Sequence, residues 1–288
     1  MDSSNQTKVH DQTFTYYNLK LEIHPEDNFI KVFGVLKLQV SNQTSTLELL
    51  LHKQLSIQSL SGKQVTDYSF TLKEKSPIPF VPDAKPLQIH FKPALEKGEI
   101  TQIEFSYEGK ITSWPSCSCN VITPEWVELG MYFPWYPMQA DLSQKITFDL
   151  EVICPPDWTV AGYGEFKHIN QSWKGCCHQP TQDIVVVASP TLFKKHYHHP
   201  NGQINLFTST FCREAARQLG ENSLFALSSF TEWFGSVSPT TYSIIQSARE
   251  KGGGYGRRGL VVLGEIEEND FLNRPEVYLR YLAHEIAH

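Results

Sequence analysis

The sequence Ile30-Lys-Val-Phe-Gly-Val-Leu-Lys-Leu-Gln-Val40 alternates apolar and polar residues along its length. Its apolar side chains recur at Val32, Leu36, Leu38 and Val40. A period of two places alternate side chains on opposite faces of an extended chain, so the pattern indicates a β-strand with one buried face. This stretch therefore predicts β-structure in the first part of the chain.

Shorter runs with the same period lie on both sides of this stretch and are separated by turn residues such as Ser61-Gly62-Lys63. Many short strands at such spacing favour antiparallel sheets in a sandwich or saddle over βαβ units. The aromatic passage Met131-Tyr-Phe-Pro-Trp-Tyr-Pro-Met138 is predicted to be a well-packed loop. The predicted strands are Tyr17–Ile23, Leu47–Leu51, Leu55–Leu60, Leu87–Phe91, Ile100–Tyr107, Ile146–Ile153, Trp158–Ala161 and Ile184–Ala188.

The pattern changes near residue 200. Apolar residues in Glu214–Phe234 recur every three to four positions, which predicts a helix, and a second helix is predicted from about Pro275. Short strands are predicted at Ile204–Thr208, Tyr242–Gln246 and Leu260–Leu263. The fold class is therefore mainly β with an α/β C-terminal part. We expect an antiparallel β-saddle or sandwich over residues 1–200 and a second domain over residues 201–288.

Composition narrows the function classes. The 25 basic and 31 acidic residues give a net charge of −6 without a basic run, which argues against a nucleic-acid partner. No run reaches the roughly 18 apolar residues of a membrane span, and the polar N-terminus lacks a signal peptide core. The six cysteines lack CxxC spacing and are predicted to be free thiols. These features predict a cytoplasmic protein.

The last five residues, His284-Glu285-Ile286-Ala287-His288, form an HExxH motif. On a helix, residues four apart lie on one face, so both imidazoles can bind one Zn²⁺ ion. Zinc lowers the pKa of a bound water towards about 7, and Glu285 is the predicted general base. The alternative is a helix end with two exposed or capping histidines.

A catalytic zinc site has three protein ligands and one open position. The motif supplies His284 and His288, and the chain then ends. The histidines at 196, 198 and 199 are candidates for a third ligand. We expect them instead to occupy a solvated turn beside Pro200-Asn201-Gly202.

Several segments along almost the whole chain resemble the M1 family of zinc aminopeptidases, with the HExxH helix as the sharpest match. The resemblance implies a saddle-shaped β domain followed by the beginning of a thermolysin-like catalytic domain, and a peptide substrate. It also implies a third zinc ligand, a glutamate, and a tyrosine beyond residue 288, so that this chain alone is expected to be inactive. The resembling segments are Leu95-Glu-Lys-Gly-Glu99, Ile103-Glu-Phe-Ser-Tyr-Glu-Gly109, Phe133-Pro-Trp-Tyr-Pro137, Ile146–Ile153 with Pro155-Pro156, and Tyr281-Leu-Ala-His-Glu-Ile-Ala-His288.

The family's GxMEN substrate-binding strand is expected at Gly253-Gly254-Tyr255-Gly256-Arg257. Gly256 then stands where the resemblance implies an amine-binding glutamate, and Arg257 stands at the asparagine position. Strict aminopeptidase specificity is therefore in question, and Glu125 and Glu128 are unassigned candidates for a replacement carboxylate. The plain alternative is a glycine-rich hairpin or edge strand. The rival to a peptidase is a non-catalytic binding or scaffold protein that keeps the peptidase architecture.

Overall fold

A computed structural model describes residues 12–114, 119–199, 202–235, 240–249 and 253–288. The described strands are β1 (Gln12–His24), β2 (Phe29–Val40), β3 (Thr44–His52), β4 (Ser56–Gly62), β5 (Val65–Phe70), β6 (Ala84–Leu95), β7 (Ile100–Lys110), β8 (Val121–Ile122), β9 (Val127–Leu129), β10 (Ile146–Ile153), β11 (Thr159–Gly162), β12 (Lys167–Ile169), β13 (Ser172–Thr181), β14 (Val186–Ser189), β15 (Phe193–His199), β16 (Gly202–Thr208), β17 (Thr241–Gln246), β18 (Tyr255–Arg257) and β19 (Leu260–Leu263). The α-helices are α1 (Arg213–Phe234), α2 (Glu268–Asn273) and α3 (Pro275–Ala287).

The largest sheet has seven strands in the order β12-β13-β10-β1-β2-β7-β4. Its β1–β2 hairpin closes through a short 3-10 turn, after which Asn28 adopts a left-handed φ of 51°, a conformation that asparagine tolerates well. On β2, Ile30, Val32 and Leu38 are almost completely buried, as the alternation predicts. Most neighbouring strands run antiparallel, whereas β1 and β10 pair in parallel.

Two smaller sheets complete the β part, with the strand orders β3-β6-β5 and β11-β14-β9-β8. The aromatic passage at residues 131–138 packs into the core that they share with the large sheet. Trp135 is fully buried and its indole N–H donates to the Ile184 carbonyl at 3.2 Å, while Tyr107 donates to the Trp135 carbonyl at 2.7 Å. The prediction of a packed loop is confirmed.

The remaining sheet is mixed and has the order β15-β16-β17-β19-β18. Strands β16, β17 and β19 run parallel, and antiparallel strands close both edges. Helix α1 packs on the β15–β16 side, and α3 packs against β18, β19 and α1. The fold is thus mainly β with an α/β C-terminal part, as the sequence predicts.

The strands that the sequence pattern does not predict are either polar or short. Residues 172–181 and 193–199 form strands although neither segment has a clear apolar alternation. The solvated turn expected at the histidine cluster is wrong, because His196 and His198 lie in edge strand β15, paired with β16. The side chain of His199 and residues 200–201 lie outside the described residues.

Two sequence expectations concern cysteines and membrane spans. The cysteines at 119, 154, 176, 177 and 212 are free thiols, and Cys117 lies outside the described residues. Within the described ranges, no helix has the length and apolar character needed to cross a membrane.

Candidate metal centre and its supporting strand

Helix α3 carries the HExxH motif and is fixed to the domain by its apolar side. Pro275 occupies its first turn, where the missing N–H costs nothing. Leu282 is 1% exposed, and Ile286 packs on the same core. The opposite face leaves His284 and His288 exposed to solvent.

The two imidazoles converge. The Nε2 atoms of His284 and His288 are 3.3 Å apart, and the ring planes are nearly perpendicular at 84°. Two nitrogen ligands at about 2.0–2.1 Å from one tetrahedral zinc ion are about 3.3 Å apart. The pair therefore fits two ligands of one zinc ion without a change of rotamer.

Glu285 lies between the two histidines in sequence but on a more buried side of the helix, with 7% of the residue exposed. Burial raises the pKa of its carboxyl group. Both imidazoles, Arg257 and a hydrogen bond from the Gly256 N–H lower this pKa, but the effect of burial is larger and the net shift is upward. The Gly256 N–H thus donates to the carboxylate that the sequence predicts to be the general base.

A third zinc ligand is not supplied by the histidines of β15. Strands β15 and β18 form opposite edges of the five-stranded sheet, about 19 Å apart at the usual strand spacing. Helix α3 packs over β18 and β19, so His196 and His198 lie at the far edge from the imidazole pair. His196 instead contacts the Gln203 amide at 3.2 Å.

Residues Tyr255–Arg257 of the glycine-rich segment form edge strand β18, which pairs antiparallel with β19. A Cβ on Gly256 would lie 2.0 Å from the Glu285 carbonyl oxygen and 2.9 Å from the His288 Cβ. Strand β18 and helix α3 are therefore packed as closely as their backbones allow. Glycine is required at this position, and a glutamate there would displace the helix.

Arg257 joins the same strand to the β domain. Its guanidinium Nε donates to Asp183 at 3.3 Å, and the side chains are only 9% and 1% exposed. Asp183 also accepts from the Tyr163 hydroxyl at 2.8 Å and from the Met131 N–H at 3.2 Å. Burial lowers the pKa of Arg257, but Asp183 and nearby tyrosines outweigh burial and raise it. The sequence gives no local signal for this pair, because the partners are 74 positions apart.

A second buried pair lies beside the first. Arg249 donates to Glu128 at 2.9 Å, and Glu128 also accepts from Ser247 at 2.9 Å and from the Trp126 indole at 3.2 Å. Glu128 is completely buried, and these three hydrogen bonds all reach its Oε2 atom, whereas its Oε1 atom has no hydrogen-bond partner among the described residues. Glu125, the other candidate carboxylate, is exposed.

Together these contacts describe what the centre can do chemically. An exposed imidazole pair can hold one zinc ion, and a carboxylate beside it can accept a proton. Edge strand β18, Tyr255–Arg257, runs past both, and Gly253 and Gly254 precede it. Edge strands have unpaired backbone groups that can bind an extended peptide.

Comparison with known proteins gives a match in structure alone. No model of a known protein family matches the chain, and no curated protein sequence matches it. The chain is similar to the M1 zinc metallopeptidase from Deinococcus radiodurans, with a TM-score of 0.69, 14% identity and 96% of this chain covered. A mutant two-domain M1 zinc metallopeptidase bound to L-arginine matches with a TM-score of 0.68 and 14% identity, again over 96% of this chain.

A mutant of the Deinococcus radiodurans enzyme bound to a Tyr-Ser-Ala substrate matches with a TM-score of 0.66 and 15% identity over 96% of this chain. The chain spans 64% of the length of each of these three chains. The fold is therefore that of an M1 peptidase N-terminal β domain followed by the start of the catalytic domain.

Proposed function

We propose that this chain carries the β domain and the first part of the catalytic domain of a zinc-dependent metallopeptidase of the M1 aminopeptidase type, a hydrolase of peptide bonds. The observation that carries the proposal is the 3.3 Å separation of the His284 and His288 Nε2 atoms. This is the separation expected of two nitrogen ligands on one tetrahedral zinc ion.

In this proposal His284 and His288 hold Zn²⁺. The bound ion supplies Lewis acidity and makes water a stronger acid. Glu285 takes a proton from the attacking water and gives it to the leaving amine, while the Gly256 N–H fixes the position of its carboxylate. A catalytic zinc has three protein ligands, so a further carboxylate ligand, which the M1 resemblance implies, completes the centre from outside residues 1–288.

The proposed substrate is an extended peptide. Residues 253–257 would pair with its backbone as a further strand at the free edge of β18. One solved neighbour is described as bound to a Tyr-Ser-Ala substrate, which supports a peptide ligand. Gly256 has no side chain to hold a free amine, so a strict preference for N-terminal residues is not part of the proposal.

Metal binding tests the first half of the proposal. The chain is titrated with Zn²⁺ beside a variant with His284→Ala and His288→Ala. We expect the variant to bind one equivalent less than the parent chain. A control with His196→Ala and His198→Ala, on the far edge of the sheet, should keep the parent stoichiometry. Equal zinc stoichiometry in the parent chain and in the variant with His284→Ala and His288→Ala would contradict the assignment.

Hydrolysis tests the second half. In the protein that includes the third ligand, Glu285→Gln should keep its zinc but lose peptide hydrolysis by about 10²–10⁴-fold, the usual contribution of a general base. A variant that hydrolyses peptides at the parent rate would refute the role of Glu285.

A second candidate function is a non-catalytic peptide-binding or scaffold protein. It is favoured by one observation, the absence of room for a side chain at position 256 beside the Glu285 carbonyl. The protein that includes the third ligand would then bind zinc and peptides without hydrolysing them, which the same assay detects.

A further inference from the structure

A second group of metal-ligating side chains lies on the solvent face of the seven-stranded sheet, away from α3. Asp149 on β10 and Cys176 and His178 on β13 each offer one ligand atom, and these atoms all lie within 4.8 Å of one another. Cys176 and His178 are exposed, and Asp149 is partly exposed. Nothing in the proposed peptidase chemistry uses them.

Strand register explains why the three side chains meet. Asp149 and Cys176 are direct cross-strand partners in the antiparallel β10–β13 pair. Cys177 faces the other way and packs against the core. Between the pairs Phe148–Cys177 and Ile146–Thr181, β13 advances four residues while β10 advances two. A bulge thus follows Cys177. His178, two residues after Cys176, lies on the same face of β13 and contacts Asp149.

Asp149 is held by a hydrogen bond on each oxygen. Its Oδ1 contacts the Nε2 atom of His178 at 3.0 Å, and its Oδ2 accepts from the Tyr16 hydroxyl on β1. Such an outer hydrogen bond fixes a carboxylate ligand and is a common feature of metal sites. The carboxylate is therefore oriented before any ion arrives.

We infer that Asp149, Cys176 and His178 form a binding site for a transition-metal ion of the zinc class, separate from the His284–His288 centre. Thiolate and imidazole ligands select Zn²⁺ or Co²⁺ over Mg²⁺ and Ca²⁺, which prefer oxygen ligands alone. Ligand atoms around one tetrahedral zinc are roughly 3.2–3.8 Å apart. The exposed side chains thus need to move together by only about 1 Å.

Three protein ligands leave a fourth position on the ion. A cavity of about 540 Å³ lies beside the cluster and is lined by Asp149 and Cys176. Lys167 and Lys174 also line this cavity. Water or an anionic group can reach the ion from there. The bound ion would connect β10 to the bulged part of β13.

The same three residue types also form cysteine–histidine catalytic sites. In such a site the histidine is turned towards the cysteine and takes the proton of its thiol. Here the Nε2 atom of His178 contacts the Asp149 carboxylate at 3.0 Å. All three side chains converge on one point, which fits metal ligation better than thiol catalysis.

The test uses the chain with His284→Ala and His288→Ala, so that only the new site is measured. Co²⁺ is the probe, because thiolate ligation gives a sulfur-to-cobalt absorption band in the near ultraviolet. We expect one equivalent of Co²⁺ and a saturable band that Zn²⁺ displaces. Cys176→Ser should abolish the band, whereas Cys212→Ser, which removes an exposed thiol far along the chain, should leave it unchanged.

Two further variants keep the thiol. His178→Ala should weaken Co²⁺ binding at least tenfold, and Tyr16→Phe should weaken it roughly tenfold through loss of the outer hydrogen bond. The absence of a saturable band would overturn the inference. A band that survives Cys176→Ser would also overturn it. So would equal Co²⁺ affinities with and without His178→Ala in the chain that carries His284→Ala and His288→Ala. Circular dichroism of each variant confirms that the fold is retained.

Discussion

Replacement of Arg257 by alanine is expected to destabilise the chain strongly. Asp183 is 1% exposed, and among the described residues it accepts hydrogen bonds from the Arg257 cation and from two neutral donors, the Tyr163 hydroxyl and the Met131 N–H. Without Arg257 the buried charge keeps the two neutral donors, the Tyr163 hydroxyl and the Met131 N–H. Loss of one partner from a buried ion pair costs about 3–5 kcal/mol. Since two neutral donors remain, we expect a loss of about 3 kcal/mol in the free energy of unfolding.

The measurement is urea unfolding followed by circular dichroism, with Arg258→Ala as a control. Arg258 is the exposed neighbour of Arg257, and its replacement should cost less than about 1 kcal/mol. Adding Asp183→Asn to Arg257→Ala removes the unpaired charge and should restore part of the lost stability. The expectation is contradicted if Arg257→Ala costs no more unfolding free energy than Arg258→Ala. It is also contradicted if the losses caused by Arg257→Ala and Asp183→Asn are simply additive in the double variant.

The remaining predictions concern His52 and Gly256. Burial lowers the pKa of His52 to about 4, against an opposing effect of Asp83, so the folded state holds this imidazole neutral. The contribution of the neutral imidazole to the free energy of unfolding is fully present above the unfolded pKa of about 6.5. It is lost as the pH falls from there to about 4. Unfolding measured from pH 7 to 4 should show a loss of about 3 kcal/mol that His52→Gln removes. Gly256→Ala should cost about 1–3 kcal/mol in thermal unfolding and weaken Zn²⁺ binding, because its Cβ meets the Glu285 carbonyl at 2.0 Å. Gly130→Ala, whose Cβ would have ordinary contacts at 3.6 Å, is its control.

Elements with one buried face could be predicted from the sequence. Strands β10 and β19 match their predicted bounds, and α3 begins at Pro275 as expected. Strand β15, with the sequence Phe-Lys-Lys-His-Tyr-His-His, could not be found in this way. It is an edge strand that is largely exposed, so its formation depends on pairing with β16 and not on a local apolar pattern.

In the candidate site, too, some contacts could be predicted from the local sequence and others could not. Helical periodicity alone brings His284 and His288 together, so the spacing of the motif is sufficient to predict their convergence. The contact of Arg249 with Glu128 joins positions 121 apart, and no local pattern indicates it. The cluster at Asp149 was missed for a related reason, since it depends on the register of β10 against β13.

The buried Arg257–Asp183 ion pair links the β domain to the candidate metal centre. Arg257 ties β18 to Asp183 in the β domain, and the preceding residue, Gly256, packs against the backbone of α3. A shift of this strand must therefore move α3 or open the contact at Glu285, because no flexible side chain lies between the two backbones. The β domain thus helps to set the position of the imidazole pair relative to the edge strand. It follows that Arg257→Ala, although its side chain is not a proposed zinc ligand, should weaken zinc binding as well as stability. Arg258→Ala should leave zinc binding unchanged and cost less than about 1 kcal/mol in stability.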